Sequence, residues 1–280
     1  MKILVTGAKG MVARAVAEYC RSIGDEIVAL DRGSLDISDR EACLRVAGSL
    51  EPDAVINCAA FTDVDGAESN EIGSYAANSD GPANLAAAAK KTGTKFLTIS
   101  TDYVFDGAKD GFYTEDDVPA PLGIYAKTKY DGELRAAEEN TGSVIVRSGW
   151  IYGFGGTNFL SVIPDLLKAG KHITAISDSF GTPTFAGDLA RRLRELAEKD
   201  VKGVVHVTNA GIGSTYYGVA CEIAKLLDID ESAVTPISDA DLERPAPRPH
   251  FSRLASKRLA ELGLDELPDW RDALRRFVKA

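Results

Sequence analysis

Short apolar runs punctuate the first half of the chain at residues 2–6, 26–30, 54–57, 95–100 and 143–147. Between them lie longer stretches, 11–23, 39–50, the Ala-rich 72–91 and 125–139, in which apolar positions recur every three to four residues. The short runs suit strands buried on both faces, and the longer period suits helices packed over them. Strands alternating with helices predict an α/β fold with a doubly wound parallel sheet.

After Gly149 the rhythm changes. Gly153, Gly155 and Gly156 mark a loop, followed by predicted helices at 159–169 and 185–199 and a strand at 204–207. Arg191, Arg192 and Arg194 alternate with Glu195 and Glu198 and read as a solvated helix face. Three prolines at alternate positions, Pro245, Pro247 and Pro249, exclude a helix there and stiffen the loop that carries Arg248. A final helix at 270–278 places Trp270, Leu274, Phe277 and Val278 at core-facing spacing.

Composition narrows the class. Of 280 residues, 45% are hydrophobic and 26% charged, enough apolar side chain for a sizeable core. Thirty-two Lys and Arg against 42 Asp and Glu leave a net charge of −10, which argues against nucleic acid or an anionic membrane as partner. No apolar run nears the ~20 residues that span a bilayer, and residues 1–5 are too short a core for a signal peptide. Cys20, Cys43, Cys58 and Cys221 are scattered without a CxxC pair, as expected of free thiols in a reducing cytoplasm. His172, His206 and His250 lie far apart, so no metal is expected.

Candidate chemistry begins where the first strand runs into Thr6-Gly7-Ala8-Lys9-Gly10-Met11-Val12-Ala13. Gly7 permits a tight turn and Gly10 lets backbone approach a pyrophosphate, which the helix N-terminus beyond attracts. Asp31 ends the second strand, where a carboxylate accepts hydrogen bonds from an adenosine ribose. Arg32 beside it suits adenine or a 2′-phosphate, and Asp36 and Ile37 are placed to border the adenine. A Rossmann sheet binding NADPH or NADH follows. Residues 1–150 read as the dinucleotide-binding domain, with 185–208 returning to it. Residues 151–184 and 209–280 read as a smaller, interleaved C-terminal substrate lobe.

A second constellation handles protons. Tyr125 and Lys129 are four apart at the start of a helix and share a face. An ammonium beside a phenol favours phenolate, so Lys129 is expected to lower the Tyr125 pKa and make it a proton donor to a carbonyl. Thr101 ends the fourth strand, at the sheet edge where chemistry sits, and is placed to bond the same oxygen. Trp150 follows the fifth strand and suits stacking on sugar or nicotinamide. Arg248, stiffly held in an acidic chain, suits a diphosphate.

These residues, with Asn57 to Asp65, Ser100 to Phe105, Arg147 to Gly153, Gly181 to Thr184 and Arg248 to Ser252, resemble the extended short-chain dehydrogenase/reductase superfamily. Within it the whole chain resembles the dTDP-4-dehydrorhamnose reductase family. The resemblance implies catalysis by Thr101, Tyr125 and Lys129, and coenzyme contacts at Gly10, Met11, Val12, Asp31, Ala60, Phe61, Thr62 and Lys129, to which Ala59 is added. It implies substrate contacts at Thr101, Asp102 and Trp150, a nucleotide-sugar substrate, and a monomer or homodimer. Ala13 departs from the family's usual third glycine. Dehydratases of the superfamily need an acid directly after the strand-end Thr-Asp, and here Tyr103 stands there. Another sugar-nucleotide reductase or epimerase, or a non-catalytic NADP-binding regulatory subunit, are the alternative readings.

Overall fold

The computed structural model describes residues 1–280. Strands β1 (Lys2–Thr6), β2 (Glu26–Leu30), β3 (Ala54–Asn57), β4 (Lys95–Thr101) and β5 (Val144–Ser148) alternate with helices α1 (Met11–Ser22), α2 (Arg40–Leu50), α3 (Val64–Ser69), α4 (Glu71–Tyr75), α5 (Gly81–Thr92) and α6 (Ile124–Glu139). The second half holds β6 (Ile151–Tyr152), α7 (Phe159–Lys168), β7 (Ile173–Ile176), β8 (Phe180–Gly181), β9 (Thr184–Phe185), α8 (Ala186–Glu198) and β10 (Gly203–His206). It ends with β11 (Asn209–Ala210), β12 (Ser214–Thr215), α9 (Tyr216–Leu226), β13 (Val234–Ile237), α10 (Arg258–Glu261), β14 (Leu267–Asp269) and α11 (Trp270–Val278).

Six parallel strands form the main sheet in the order β10-β5-β4-β3-β1-β2. The order reverses between β1 and β3, the switch point beyond which doubly wound sheets bind ligands. One face buries Val16 and Cys20 of α1 and Leu189, Leu193 and Leu196 of α8 against Ile3, Val5, Ile56 and Val146. The other buries Cys43 and Ala47 of α2, Leu85 and Ala89 of α5 and Ala136 of α6 against Leu4, Val55 and Phe96. A separate core gathers α7, α9 and α11 around Trp270, Ile163, Val219 and Phe277. It is bordered by the paired short strands β7 with β13 and β6 with β9.

Two expectations need correction. The helix expected at 72–91 is a short α4, a π turn at Ala76–Asp80 and then α5, preceded by an unforeseen α3. Pro82, without an N–H, stands in the first turn of α5. The π turn presses its Asn78 carbonyl onto α6 where Gly132 leaves room; a Cβ there would lie 2.0 Å from that oxygen. The arginines of α8 are only in part a solvated face, since Arg191 is half-exposed while the other two are not. Arg192 and Arg194 are buried, because α8 is covered on its outer side as well. Arg194 pairs with Asp25, which also accepts from the Met1 amino group, and Arg192 donates to Glu195 and the Asp265 carbonyl. All four cysteines are free. No helix is long and apolar enough to cross a membrane.

Gly132→Ala is expected to destabilise the chain by about 1–3 kcal/mol, the cost of overpacking against backbone that cannot retreat. Denaturant unfolding reads it directly; an unchanged midpoint would mean the two helices separate freely.

His206, at the end of β10, is buried, and desolvation lowers its imidazole pKa to about 4. An unfolded histidine protonates near ~6.5, so its contribution to stability is whole above that pH and is lost as pH falls towards 4. His206→Gln should flatten the fall of Tm across that window. A slope unchanged from the parent would assign the proton uptake to other groups.

Candidate active site

The carboxyl ends of β1, β3, β4 and β5 open onto a cleft of about 730 Å³. The turn after β1 forms one wall. Gly7 holds φ +73°, and a Cβ on it would meet the Ala59 backbone at 2.8 Å, so only glycine lets the β1 and β3 loops cross this closely. Gly10 is the N-cap of α1 and supplies no side-chain cap; α1 has no acidic residue in its first turn. The unpaired N–H groups and positive end of the helix therefore face a cleft lined by Gly10, Met11 and Val12.

Asn57 ties the strand ends together. Its Oδ1 accepts from Thr6 Oγ1 at 2.6 Å and from the Ala59 amide, and its Nδ2 donates to Thr98 Oγ1 at 3.0 Å. Ala59, Ala60 and Thr62 line the cleft beyond it. Phe61 does not line it; the π-turn residue Asn78 accepts from its amide and donates to its carbonyl, fixing the loop from behind.

Asp31 lies at the end of β2, next to the glycine turn. One oxygen accepts from Ser34, the other pairs with Lys9 at 2.6 Å, and the Lys9 ammonium holds the carboxyl down at about 2. Arg32 is exposed and pairs with Asp36 at 3.5 Å, while Asp36 otherwise accepts from Ser38. The Ile37 side chain packs into the core against Gly81.

Thr101, Tyr125 and Lys129 all line the same cleft. The Thr101 hydroxyl accepts from the Tyr103 amide and donates to Asp102 Oδ1 at 3.1 Å. Lys129 Nζ donates to the Ile99 carbonyl at 2.7 Å. The expected lowering of Tyr125 by Lys129 is not what this arrangement gives. Burial pushes the phenol up to about 12, with the neighbouring Thr101 hydroxyl pulling it partly back. Burial also lowers the Lys129 ammonium to about 8, against an upward pull from Glu133. A phenol this high is a proton carrier at neutral pH rather than a base. Asp102 is buried, its carboxyl raised to about 6 by desolvation, with the Ser252 and Thr101 hydroxyls pulling it partly back.

Trp150 adopts φ +46°, a strained conformation for a large residue, and stacks on Tyr216 with centroids 3.8 Å apart. With Tyr103 and Phe159 these two rings line both this cleft and an adjoining one of about 390 Å³. Arg248 lines the second cleft but is not free. Both its terminal nitrogens bond Asp65, at 2.9 and 2.7 Å, across from the C-terminal loop to α3.

Several cleft residues escaped sequence reasoning. Lys9 was visible inside the glycine turn. Arg14, which donates to the Gly155 carbonyl at 2.7 Å, is one helical turn further on. Asp65 and Phe159 lie in segments that carry the family resemblance but had no role assigned, and Tyr216 and Arg244 carry no local signal, since only the folded chain brings them to the clefts.

A family model described as the RmlD substrate binding domain matches residues 1–280. A dTDP-4-dehydrorhamnose reductase of Mycobacterium tuberculosis is 38% identical over all of this chain and 93% of its own length. A solved dTDP-4-dehydrorhamnose reductase from Clostridium acetobutylicum superposes with a TM-score of 0.94 at 36% identity, covering 100% of this chain and 99% of that one. Another, from Bacillus anthracis and in complex with NADP, gives 0.93 at 32% identity over 99% and 98%. With the glycine turn, the strand-end threonine and the Tyr–Lys helix gathered in one cleft, the chain belongs to the dTDP-4-dehydrorhamnose reductase family of the extended short-chain dehydrogenases/reductases.

Proposed function

We propose that this protein reduces the 4-keto group of a nucleotide-activated 6-deoxyhexose, dTDP-4-dehydro-L-rhamnose to dTDP-L-rhamnose, with NADPH or NADH as coenzyme. One observation carries the reading: Thr101, Tyr125 and Lys129 line a single cleft that also receives the uncapped N-terminus of α1. The names of the full-length relatives support it.

The cleft fits a dinucleotide. A side chain at position 10 would crowd the Gly7 carbonyl at 3.1 Å, so the glycine keeps backbone N–H groups open to a pyrophosphate. Gly10, Met11 and Val12 would hold that group, Asp31 the adenosine ribose, Ala59, Ala60 and Thr62 the far half, and Lys129 the second ribose. When bound, the coenzyme supplies the hydride for the sugar carbonyl.

The remaining steps belong to the chain's own residues. Tyr125 Oη carries the proton to the carbonyl oxygen, and burial keeps it protonated until needed. Thr101 Oγ1 orients the same oxygen. Asp102, which lines the cleft beside Thr101, is the acceptor for a sugar hydroxyl. Residues 151–184 and 209–280 act as the substrate lobe on a coenzyme domain of 1–150 and 185–208. Arg248 binds the diphosphate in the second cleft. Tyr103 stands edge-on to Tyr125 with centroids 5.9 Å apart, where elimination would need an acid, so reduction is favoured over dehydration.

Tyr125→Phe keeps the ring and deletes the transferable proton. A folded, coenzyme-binding variant with kcat lower by at least ~10² is expected in an assay following NADPH oxidation with the 4-keto sugar nucleotide. Thr101→Val should cost less. Near-normal turnover in Tyr125→Phe would place the proton elsewhere, and a parent protein that binds coenzyme but reduces no such sugar would favour the regulatory-subunit reading.

Arg248→Ala should raise KM for the nucleotide sugar while leaving coenzyme affinity unchanged, because Arg248 does not line the cleft beside the glycine turn. Steady-state kinetics with coenzyme saturating decides it; an unchanged KM removes Arg248 from the diphosphate site.

A further inference from the structure

Behind the cleft lies a charged cluster that the reaction above does not use. Tyr125, Lys129 and Glu133 are spaced i, i+4 and i+8 along one face of α6. Glu133 is buried, as are its partners Ser100 and Arg147. Arg147 donates from Nε at 3.0 and 3.1 Å and from a terminal nitrogen at 2.6 Å, and Ser100 Oγ donates to Glu133 Oε1. Phe105 stacks beneath the Arg147 guanidinium at 5.2 Å. Ser100 and Arg147 are register partners on β4 and β5, one step before the pair Thr101 and Ser148. The carboxylate therefore joins the catalytic helix to both strands at the level of Thr101 and the Lys129 amine.

We propose that Glu133 is the positioning residue for Lys129: clamped by Arg147 and Ser100, it fixes that turn of α6 to the ends of β4 and β5 and supplies the carboxylate that holds the Lys129 ammonium charged. Lys129 forms no ion pair of its own; its amine reaches only the Ile99 carbonyl. The titratable groups around it are Cys58 after β3, Asp102 and Tyr103 after β4, Tyr125 and Glu133 on α6 and, behind Glu133, Arg147 on β5. Burial keeps the Cys58 thiol neutral, pushed up to about 12, and Asp102 exerts its charge on Tyr125 and Tyr216. Glu133 is the carboxylate that opposes desolvation at Lys129. A buried Arg–Glu pair is a costly way to gain stability alone. Here the pair places a carboxylate one helical turn from an otherwise isolated amine.

The inference rests on the reductase reading for its kinetic consequence only. Lys129 is titrated in the free protein by NMR of ¹³C-labelled lysine, its resonance assigned with Lys129→Arg. The parent midpoint is expected near 8. In Glu133→Gln it should fall by about one unit, the low end of what a neighbouring carboxylate contributes, because Arg147 already offsets part of its charge. The alkaline limb of kcat/KM for the reductase should fall with it. Glu133→Gln leaves Arg147 buried and unpaired, so Glu133→Gln/Arg147→Gln carries the same test in a neutral pair should the single variant not fold. Its midpoint should also lie below the parent's. A midpoint and alkaline limb unmoved in a folded variant, with only Tm or kcat reduced at every pH, would leave Glu133 a structural clamp and overturn the proposal. A parent that titrates and shifts as described yet reduces no sugar would instead reject the reductase reading.

Discussion

All six strands of the main sheet run the same way, and everything at the site follows from that constraint. Parallel strands must be joined by crossovers, so every strand delivers its carboxyl end to one edge. The glycine turn, Asp31, the Cys58–Thr62 loop, Thr101 and Trp150 come from five different strands and still meet there. Asn57 fixes that edge by linking β1, β3 and β4 through a single buried amide. Its polar atoms are partnered, so the linkage positions the edge without leaving a buried group unsatisfied.

The cleft also sets burial against charge. Excluding water raises Tyr125 and Asp102 and lowers Lys129, each towards its neutral form. For a proton donor that is useful, since the phenol stays loaded. For an ammonium it works the other way, and the charge has to be upheld by something nearby. The same physics accounts for the correction at Tyr125: sequence spacing places a lysine near the phenol but cannot weigh its field against the water lost from both.

Much of the sheet was legible because strands covered by helices leave continuous apolar runs, and 2–6, 54–57 and even the half-buried edge run 26–30 carry the bounds of β1, β3 and β2. The glycine turn and the Tyr125–Lys129 spacing were legible because each is local. What stayed hidden depends on contacts distant in sequence. The π turn answers to Gly132, more than fifty residues on; the burial of Arg194 depends on Asp25 and that of Arg248 on Asp65. Charge patterning on α8 failed similarly, since alternating signs look alike on a solvated face and in a network of buried pairs.

Gly181 bears on how this site can change over generations. Its φ is ordinary, yet a Cβ there would fall 2.2 Å from the indole of Trp150, which is itself held against Tyr216. The glycine is required by a ring thirty-one positions earlier rather than by its own backbone. A side chain gained at 181 is tolerable only after the aromatic at 150 has become smaller, and that loss reshapes the lining the two clefts share. Divergence of this lining is thereby channelled: these two positions drift as a pair, in a fixed order, or not at all.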